Sequence, residues 1–223
     1  MPLLEPPAVG SLSALPTRPL AGVVLHRVFL SRRASPWWFS GVPAGADPDG
    51  FGRFDLPHPD GACYLATTPV AAALETFQHL VGGLLPDDEL RRRSHLTVTA
   101  PAGSPRAANL TAARARSAGV TYELFSSGDR GLSQRWAVRL RRAGFRALVQ
   151  GVRHDPTGRL RAVTLFDTAG DHPPYDDEAG WAGEQRPLHT DAALRSALGR
   201  YGIRVTRSDP QLAVVRLEDS GLV

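Results

Sequence analysis

The start of one helix is marked more clearly than any other boundary in this sequence. Thr68 is a suitable N-cap, and Pro69 suits the first helical position, where its missing N–H loses no hydrogen bond. Apolar side chains then recur at helical spacing at Val70, Leu74, Phe77 and Val81. Residues 62–66, which end two positions before the cap residue, have the apolar and aromatic content of a strand. A strand that leads straight into an amphipathic helix predicts a sheet on which that helix packs.

Other short segments with strand composition alternate irregularly with helical ones. Strands are predicted at residues 23–29, 95–99, 122–125, 146–150, 162–166, 203–205 and 212–216, and helices at 132–143 and 191–201. Ser133 is interpreted as the N-cap of the first of these helices, and the acidic, Pro-rich residues 171–186 as a loop. Short strands with irregularly placed helices are typical of an α+β domain.

The length of 223 residues fits a single domain. Residues 1–20 are rich in Pro, Leu and Ala without a period, so they are predicted to be a loosely ordered lead-in to a domain of residues 21–223. No apolar run reaches the length of a membrane span, and the N-terminus lacks the layout of a signal peptide. A cytoplasmic protein is therefore expected, with the single Cys63 as a small core residue.

The basic residues are all arginines, 26 in number, and the formal net charge is +4. They are scattered over several segments, and no nucleic-acid-reading motif accompanies them. An anionic small molecule would use the same charge balance. The sequence therefore favours a small-molecule ligand and predicts neither a nucleic-acid partner nor a membrane.

Several common kinds of site are missing from the sequence. No pair among the seven histidines has a chelating helical spacing, and there is one cysteine, so no metal site is expected. The G-x-S-x-G elbow of many hydrolases is absent. Neither G-x-G-x-x-G nor a G-K-[ST] phosphate loop occurs. Most metal-dependent, serine-hydrolase and nucleotide-loop enzymes are thereby disfavoured.

A pattern between residues 26 and 77 remains, with the segments HRVF, PWWFS, GRFDLP and CYLATTPVAAALETF. It resembles the RES family, the toxin half of a bacterial toxin–antitoxin pair. The matching features are a first-strand arginine at Arg27, a G-R-[WF] turn at residues 52–54, a Y-L-A strand end at residues 64–66 and a helical glutamate at Glu75. The resemblance continues through SQRWA and GFRALVQGVRHDP and covers roughly residues 23–166.

This resemblance implies an ADP-ribosyltransferase-like fold, a split mixed β-sheet with flanking helices. It implies cleavage of NAD at the nicotinamide–ribose bond by phosphorolysis, which yields ADP-ribose 1-phosphate and nicotinamide. NAD and inorganic phosphate would be the substrates, no metal would be needed, and a cognate antitoxin would be the partner; an oligomer is possible. The alternatives are an ADP-ribosyltransferase or NAD glycohydrolase on the same fold, and a non-catalytic basic binding module.

The matching residues also suit NAD chemistry in physical terms. Breaking the nicotinamide bond creates an oxocarbenium-like state, which a carboxylate near the ribose stabilises, and Glu75 is the candidate. Arg27 and Arg53 offer fork-shaped donors for the pyrophosphate, and Arg53 is counted with Glu75 as catalytic. Tyr64, Phe54 or a loop tryptophan would supply a flat surface for nicotinamide.

Ordinary structural roles are the alternative for each residue. Glu75 could be a solvated helix residue, Arg27 could pair with an acidic neighbour, and Tyr64 could be a core aromatic. His154 and Asp155 are interpreted as turn residues. Trp37 and Trp38 are expected to be exposed and to anchor the antitoxin.

One position departs from the family pattern. The family serine near the end of the strand at residues 146–150 aligns with Gly151, while Arg153 keeps its place and would grip an anion beside the cleft. The missing hydroxyl bears on the last step of the reaction, the transfer to the acceptor.

Overall fold

The computed structural model describes residues 4–77, 80, 83–172, 180, 181 and 183–207. Its helices are α1 (Val9–Leu12), α2 (Pro69–Thr76), α3 (Asp87–Arg91), α4 (Glu123–Ser126), α5 (Arg130–Arg142) and α6 (Ala192–Arg200). Its strands are β1 (Thr17–Arg18), β2 (Val24–Leu30), β3 (Trp38–Phe39), β4 (Gly41–Val42), β5 (Leu56–Pro57), β6 (Asp60–Ala66), β7 (Leu84–Pro86), β8 (Arg93–Thr99), β9 (Ala107–Asn109), β10 (Ala147–Gly151), β11 (Arg161–Thr168), β12 (Gly170–Asp171), β13 (Gly183–Pro187) and β14 (Arg204–Thr206). No helix in these ranges is long and apolar enough to cross a membrane.

Eight strands form one mixed sheet in the order β1-β9-β10-β11-β6-β2-β8-β13. Strands β9 and β10 run parallel, and the other neighbours are antiparallel. Strands β6 and β2, the fifth and sixth in this order, pair at a single described position, His26 with Ala66. The sheet is therefore split into two well-paired parts, and the predicted α+β domain with a mixed sheet and flanking helices is confirmed.

Alternation along the strands gives the sheet two different faces. One face carries a continuous apolar cluster that includes Leu25, Cys63 and Leu165. The opposite face carries two clusters, one around helix α5 with Trp136 and Leu148, and one around helix α2 with Leu74, Val28 and Ala66. The boundary between these two clusters carries a row of polar side chains on the strands, and it positions the site described below.

The marked helix start is confirmed in detail. The Thr68 side chain accepts a hydrogen bond from the N–H of Ala71 at 3.2 Å, and Pro69 is the first helical residue. Leu74 and Phe77 are buried against strand β2. The helix ends at Thr76, and Val81, the last position of the predicted stripe, lies outside the described residues.

Most predicted strands and helices are present, but three differ from the prediction. Residues 122–125 are not a strand, because Glu123–Ser126 form helix α4. The N-cap of α5 is Asp129, whose carboxylate accepts the N–H of Leu132 at 2.7 Å, and Ser133 lies one turn inside the helix. Residues 204–206 pair with β7 rather than with the main sheet.

Two further predictions concern the edges of the sheet. The predicted loop of residues 171–186 contains most of strand β13, which pairs with β8. All five residues of this strand are exposed, so it has no apolar alternation that sequence reasoning could detect. The predicted strand at residues 212–216 lies outside the described residues.

The N-terminal segment is more ordered than predicted. Leu12 and Leu15 are buried against the cluster around α5, and Thr17–Arg18 pair with strand β9 at the edge of the sheet. Arg135 of α5 also forms an ion pair with Glu5 at 2.7 Å. Residues 4–20 are therefore an integral part of the domain, because their apolar side chains complete its core.

The tryptophans of the first long loop are not an exposed pair. Trp37 is fully buried and packs edge-on against Trp181, with ring centroids 5.4 Å apart. Trp38 is partly buried, and the guanidinium of Arg33 lies 4.1 Å from its ring centroid. The prediction of two exposed aromatic anchors was therefore wrong, because Trp37 fills the core.

Candidate active site

The floor of the candidate site is a row of polar side chains on three adjacent strands. Tyr64 of β6 lies opposite Thr164 of β11, and Gln150 of the next strand donates to the Thr164 hydroxyl at 2.7 Å. Thr164 and Gln150 are buried although they are polar. Polar groups of this kind on a core-facing sheet surface separate the two apolar clusters and mark a place where polar ligands can be received.

Glu75 projects from helix α2 at this boundary. The backbone N–H of Arg153 donates to its carboxylate, and the charges of Arg53 and Arg153 act on it. Burial nevertheless dominates and raises the pKa of Glu75 to about 7. Glu75 is therefore neither a solvated helix residue nor a salt-bridged one, but a partly buried carboxyl group that is poised to ionise near neutral pH.

Arg53 reaches the same place from the turn that precedes strand β5. Its Nη1 atom donates to the Ser133 hydroxyl at 3.3 Å. Burial, together with the nearby charges of Arg153 and Arg130, lowers the pKa of Arg53 to about 10. Glu75 opposes that shift, so the two groups interact electrostatically, and their catalytic roles stay predictions.

A second cation, Arg153, comes from the loop between β10 and β11. Tyr122 donates its hydroxyl to the carbonyl of Arg153 at 3.4 Å, while the N–H of Arg153 binds Glu75. Burial and the charges of Arg153 and Arg53 lower the pKa of His154. Asp155 is buried and accepts the N–H of Leu160 at 2.6 Å. Asp155 is thus a turn residue, as predicted, and its turn presents Arg153 and His154 to the site.

Ser133 is a site neighbour that sequence reasoning placed elsewhere. It is completely buried, accepts from Arg53, and can donate to the carbonyls of Leu124 or Asp129, each at 3.3 Å. The run GDRGLS contains Asp129, which is a better N-cap than Ser133. This stronger cap residue is the sequence signal that could have shown Ser133 to lie inside the helix.

Gly151 has a different environment from Ser133. A Cβ atom at this position would lie 3.2 Å from the ring of Phe125, so a serine there would be crowded by the core. The serine hydroxyl that contacts Arg53 therefore belongs to Ser133, on helix α5.

Arg27 lies apart from Glu75, within the split of the sheet. It shares its strand face with Leu25 and Phe29 of the opposite core cluster. Its guanidinium donates to the sulfur of Cys63, to the Tyr64 carbonyl at 3.3 Å and to the Trp38 carbonyl at 3.1 Å. These bonds connect the two parts of the sheet, so backbone carbonyls and a thiol, not an acidic neighbour, are its partners.

The two predicted aromatic surfaces also differ from each other. Phe54 is 2% exposed and packs in the core, so it offers its backbone and not its ring. That backbone N–H donates to the Tyr64 hydroxyl at 2.9 Å. Tyr64 is partly buried at the floor of the site, and its ring stays the predicted surface for nicotinamide.

One carboxylate surrounded by Arg53, Arg153 and the more distant Arg130 can bind an anionic ligand and stabilise a positive centre within it. Among the described residues, no cluster of His, Cys, Asp or Glu is suited to hold a metal ion.

Comparison with known proteins gives a consistent result. The family model described as "RES domain" matches residues 24–191. The structure is similar to a crystal structure of the M. tuberculosis MbcT–MbcA toxin–antitoxin complex, with a TM-score of 0.55 and 14% identity over 87% of this chain and 96% of that chain. At this identity the similarity shows a shared fold. No curated protein matched the sequence.

Proposed function

Because this chain belongs to the RES domain family, we propose that it is a NAD-consuming, toxin-like enzyme that breaks the bond between nicotinamide and ribose. The observation that carries the proposal is the position of Glu75, a partly buried carboxyl group on which the charges of Arg53 and Arg153 act. A single negative charge surrounded by cations suits a substrate that carries both a diphosphate and a developing positive charge.

Glu75 would act on the ribose. When the nicotinamide–ribose bond breaks, its electron pair leaves with the ring nitrogen, and the positive charge moves to the ribose carbon and ring oxygen. The Glu75 carboxylate would stabilise that charge, as carboxylates do in glycoside hydrolysis. The cationic nicotinamide ring of NAD would itself favour the ionised form of Glu75 before the bond breaks.

The arginines would hold the rest of NAD. Arg53 is proposed to hold the diphosphate and to be catalytic with Glu75, and Arg153 to bind an anion at the same cleft. The ring of Tyr64 would support nicotinamide from the floor of the site. Arg27 and Phe54 would contribute indirectly, Arg27 through the Tyr64 and Trp38 carbonyls and Phe54 through its N–H.

Phosphate is the acceptor that we propose, so that the products are nicotinamide and ADP-ribose 1-phosphate. Its oxygen would bond to the ribose carbon as nicotinamide leaves. Arg153 would supply the charge that attracts a second anion, and Ser133 would keep Arg53 oriented through their 3.3 Å contact. With water as acceptor the enzyme would be a glycohydrolase, and with a macromolecule it would be an ADP-ribosyltransferase.

An antitoxin is the proposed partner. The similar structure is that of a toxin–antitoxin complex, and this supports the proposal. Co-expression with the product of the neighbouring reading frame should relieve growth arrest and give a stable complex. A protein that is harmless when produced alone would contradict the toxin role.

The decisive experiment is incubation of the purified protein with NAD at varied inorganic phosphate and fixed ionic strength, with the products identified by mass. A rate that rises with phosphate and yields ADP-ribose 1-phosphate supports the proposal. Plain ADP-ribose at a rate independent of phosphate would indicate a glycohydrolase. A mass increase on a macromolecule would indicate a transferase, and NAD bound without turnover a binding module.

A further inference from the structure

Asp55 is a buried carboxylate beside the site that does not face it. It is 1% exposed and accepts three hydrogen bonds, from the Ser40 hydroxyl at 2.6 Å, the Tyr64 hydroxyl at 2.7 Å and the Gly52 N–H at 2.8 Å. A charge buried to this extent is tolerated only with such partners. Burial raises the pKa of Asp55, and the hydrogen bonds from Ser40 and Tyr64 oppose that shift.

Two of its three partners lead directly to the site. Gly52 precedes Arg53, so the bond from Asp55 to the Gly52 N–H fixes the turn that carries this guanidinium. The turn is also closed by the N–H of Asp55 itself, which donates to the Gly52 carbonyl at 3.1 Å. A Cβ atom on Gly52 would lie 2.5 Å from the Tyr64 hydroxyl oxygen and 2.6 Å from Asp55 Oδ1, so a side chain at this position would break the arrangement.

The second link is between Asp55 and the orientation of Tyr64. The Tyr64 hydroxyl donates to Asp55 and accepts the N–H of Phe54 at 2.9 Å. The Tyr64 hydroxyl proton is therefore already used in the hydrogen bond to Asp55, and the ring is oriented by its hydroxyl group. Tyr64 can offer a substrate its ring face but not its hydroxyl proton.

We propose that Asp55 is a positioning residue for NAD, which sets the Arg53 turn and the Tyr64 ring in the geometry that binds the dinucleotide. This inference rests on the proposed function. Asp55 touches no substrate; it acts through the two residues that do. Because Asp55 holds both, the phosphate-binding and ring-binding parts of the cleft are fixed relative to each other by one side chain.

A purely structural role for Asp55 is the competing explanation, and Asp191 provides the matched control. Asp191 is also a buried aspartate, 8% exposed, and it accepts the Leu194 N–H at 2.9 Å and an Arg186 donor at 2.8 Å. It caps helix α6 and contacts none of the site residues through these bonds. Asp191→Asn should therefore lower stability without changing NAD binding.

The experiment compares Asp55→Asn, Tyr64→Phe, their double variant and Asp191→Asn in the full-length protein. Asparagine keeps the shape of aspartate, but its nitrogen donates and so cannot serve all three donors. The readouts are KM and kcat for NAD, the melting temperature, and hydrogen exchange over residues 52–55. For Asp55→Asn we expect KM to rise by about tenfold or more, because a small misplacement of binding groups has effects of that order, together with faster exchange in this segment.

The outcomes separate the two explanations. Loss of folded enzyme lowers the maximal rate but leaves KM unchanged, so an unchanged KM in Asp55→Asn would overturn the proposal. If Asp55→Asn does not fold, Tyr64→Phe breaks the same link and should raise KM in the same way. Where both single variants fold, the KM of the double variant should be no higher than that of the single variant with the higher KM. A parent protein that does not consume NAD would instead refute the proposed function, and the inference with it.

Discussion

Glu75 illustrates how one residue acquires its chemistry from a few neighbours. Its helix is fixed by the Thr68 cap, its carboxylate receives one backbone N–H, and burial outweighs the effect of the arginines on its pKa. A residue type and a helical position could be read from the sequence. The balance between burial and charge could not, because Arg53 and Arg153 come from distant parts of the chain.

Replacing Glu75 by glutamine keeps its shape and removes its charge. We expect kcat for NAD cleavage to fall by about a hundredfold or more, because one preorganised electrostatic group is lost from the transition state. Glu89→Gln, which alters a partly buried glutamate paired with Arg92 and Arg93, is the matched control. An unchanged rate in Glu75→Gln would show that the carboxylate has no part in the reaction.

The rate should depend on pH through the same carboxyl group. The ionised form is the active one, and burial raises the pKa of Glu75 to about 7, so kcat/KM of the free enzyme should decline as the pH falls below about 7. His154 lies nearby and could produce a similar limb. His154→Gln should therefore keep the decline, and a profile that becomes flat in this variant would assign it to the histidine.

Among the elements, those with an internal pattern were predictable and those defined by pairing were not. Helix α2 and strands β2 and β6 have caps or apolar alternation, and the sequence located them well. Strand β13 is fully exposed, and it forms because its backbone pairs antiparallel with β8. Residues 122–125 have strand composition, but they form a short helix, α4, against the core around α5.

The junction of β2 with β6 should depend on Arg27. Lysine cannot reproduce a fork that donates to Cys63, Tyr64 and Trp38 at once, so Arg27→Lys should lower the free energy of unfolding by about 2 kcal/mol. Arg53→Lys should instead weaken NAD binding with little change in melting. Weaker NAD binding by Arg27→Lys at unchanged stability would show that Arg27 holds the phosphates directly, as the sequence first suggested.

At the scale of the whole molecule, the fold was more predictable than the site. The α+β class and the split mixed sheet follow from local patterns and from the family resemblance. The structure places the predicted site residues Glu75, Arg53, Arg153 and Tyr64 near one another, and their roles in the reaction stay predictions. Asp55 and Ser133 were missed as site neighbours because their importance lies in contacts between distant segments, which a spacing rule does not contain.

A pair of histidines, one buried and one partly buried, should make the stability of the domain depend on pH. His26 and His95 lie 3.2 Å apart between β2 and β8, near Arg186 and Asp191. Burial, with the charges of His95 and Arg186, lowers the pKa of His26 from 6.5 to about 4, and burial also lowers the pKa of His95. The neutral forms are favoured in the fold, so their contribution is complete above pH 6.5 and is lost as the pH falls toward about 4.

The measurement is the melting temperature between pH 7.5 and 4, compared with that of His26→Gln. The difference between the two proteins isolates this histidine from carboxylates that titrate in both. A difference that does not change over the range would contradict the assignment.

Cys63 is a natural reporter group at the junction of strands β2 and β6. It is the single thiol of the chain, it is fully buried beside Arg27, and burial raises its pKa to about 11. An alkylating reagent can reach such a thiol only when the surrounding structure opens. The rate at which this one atom is labelled therefore measures how often the junction of β2 with β6 opens, in solution and without an introduced cysteine.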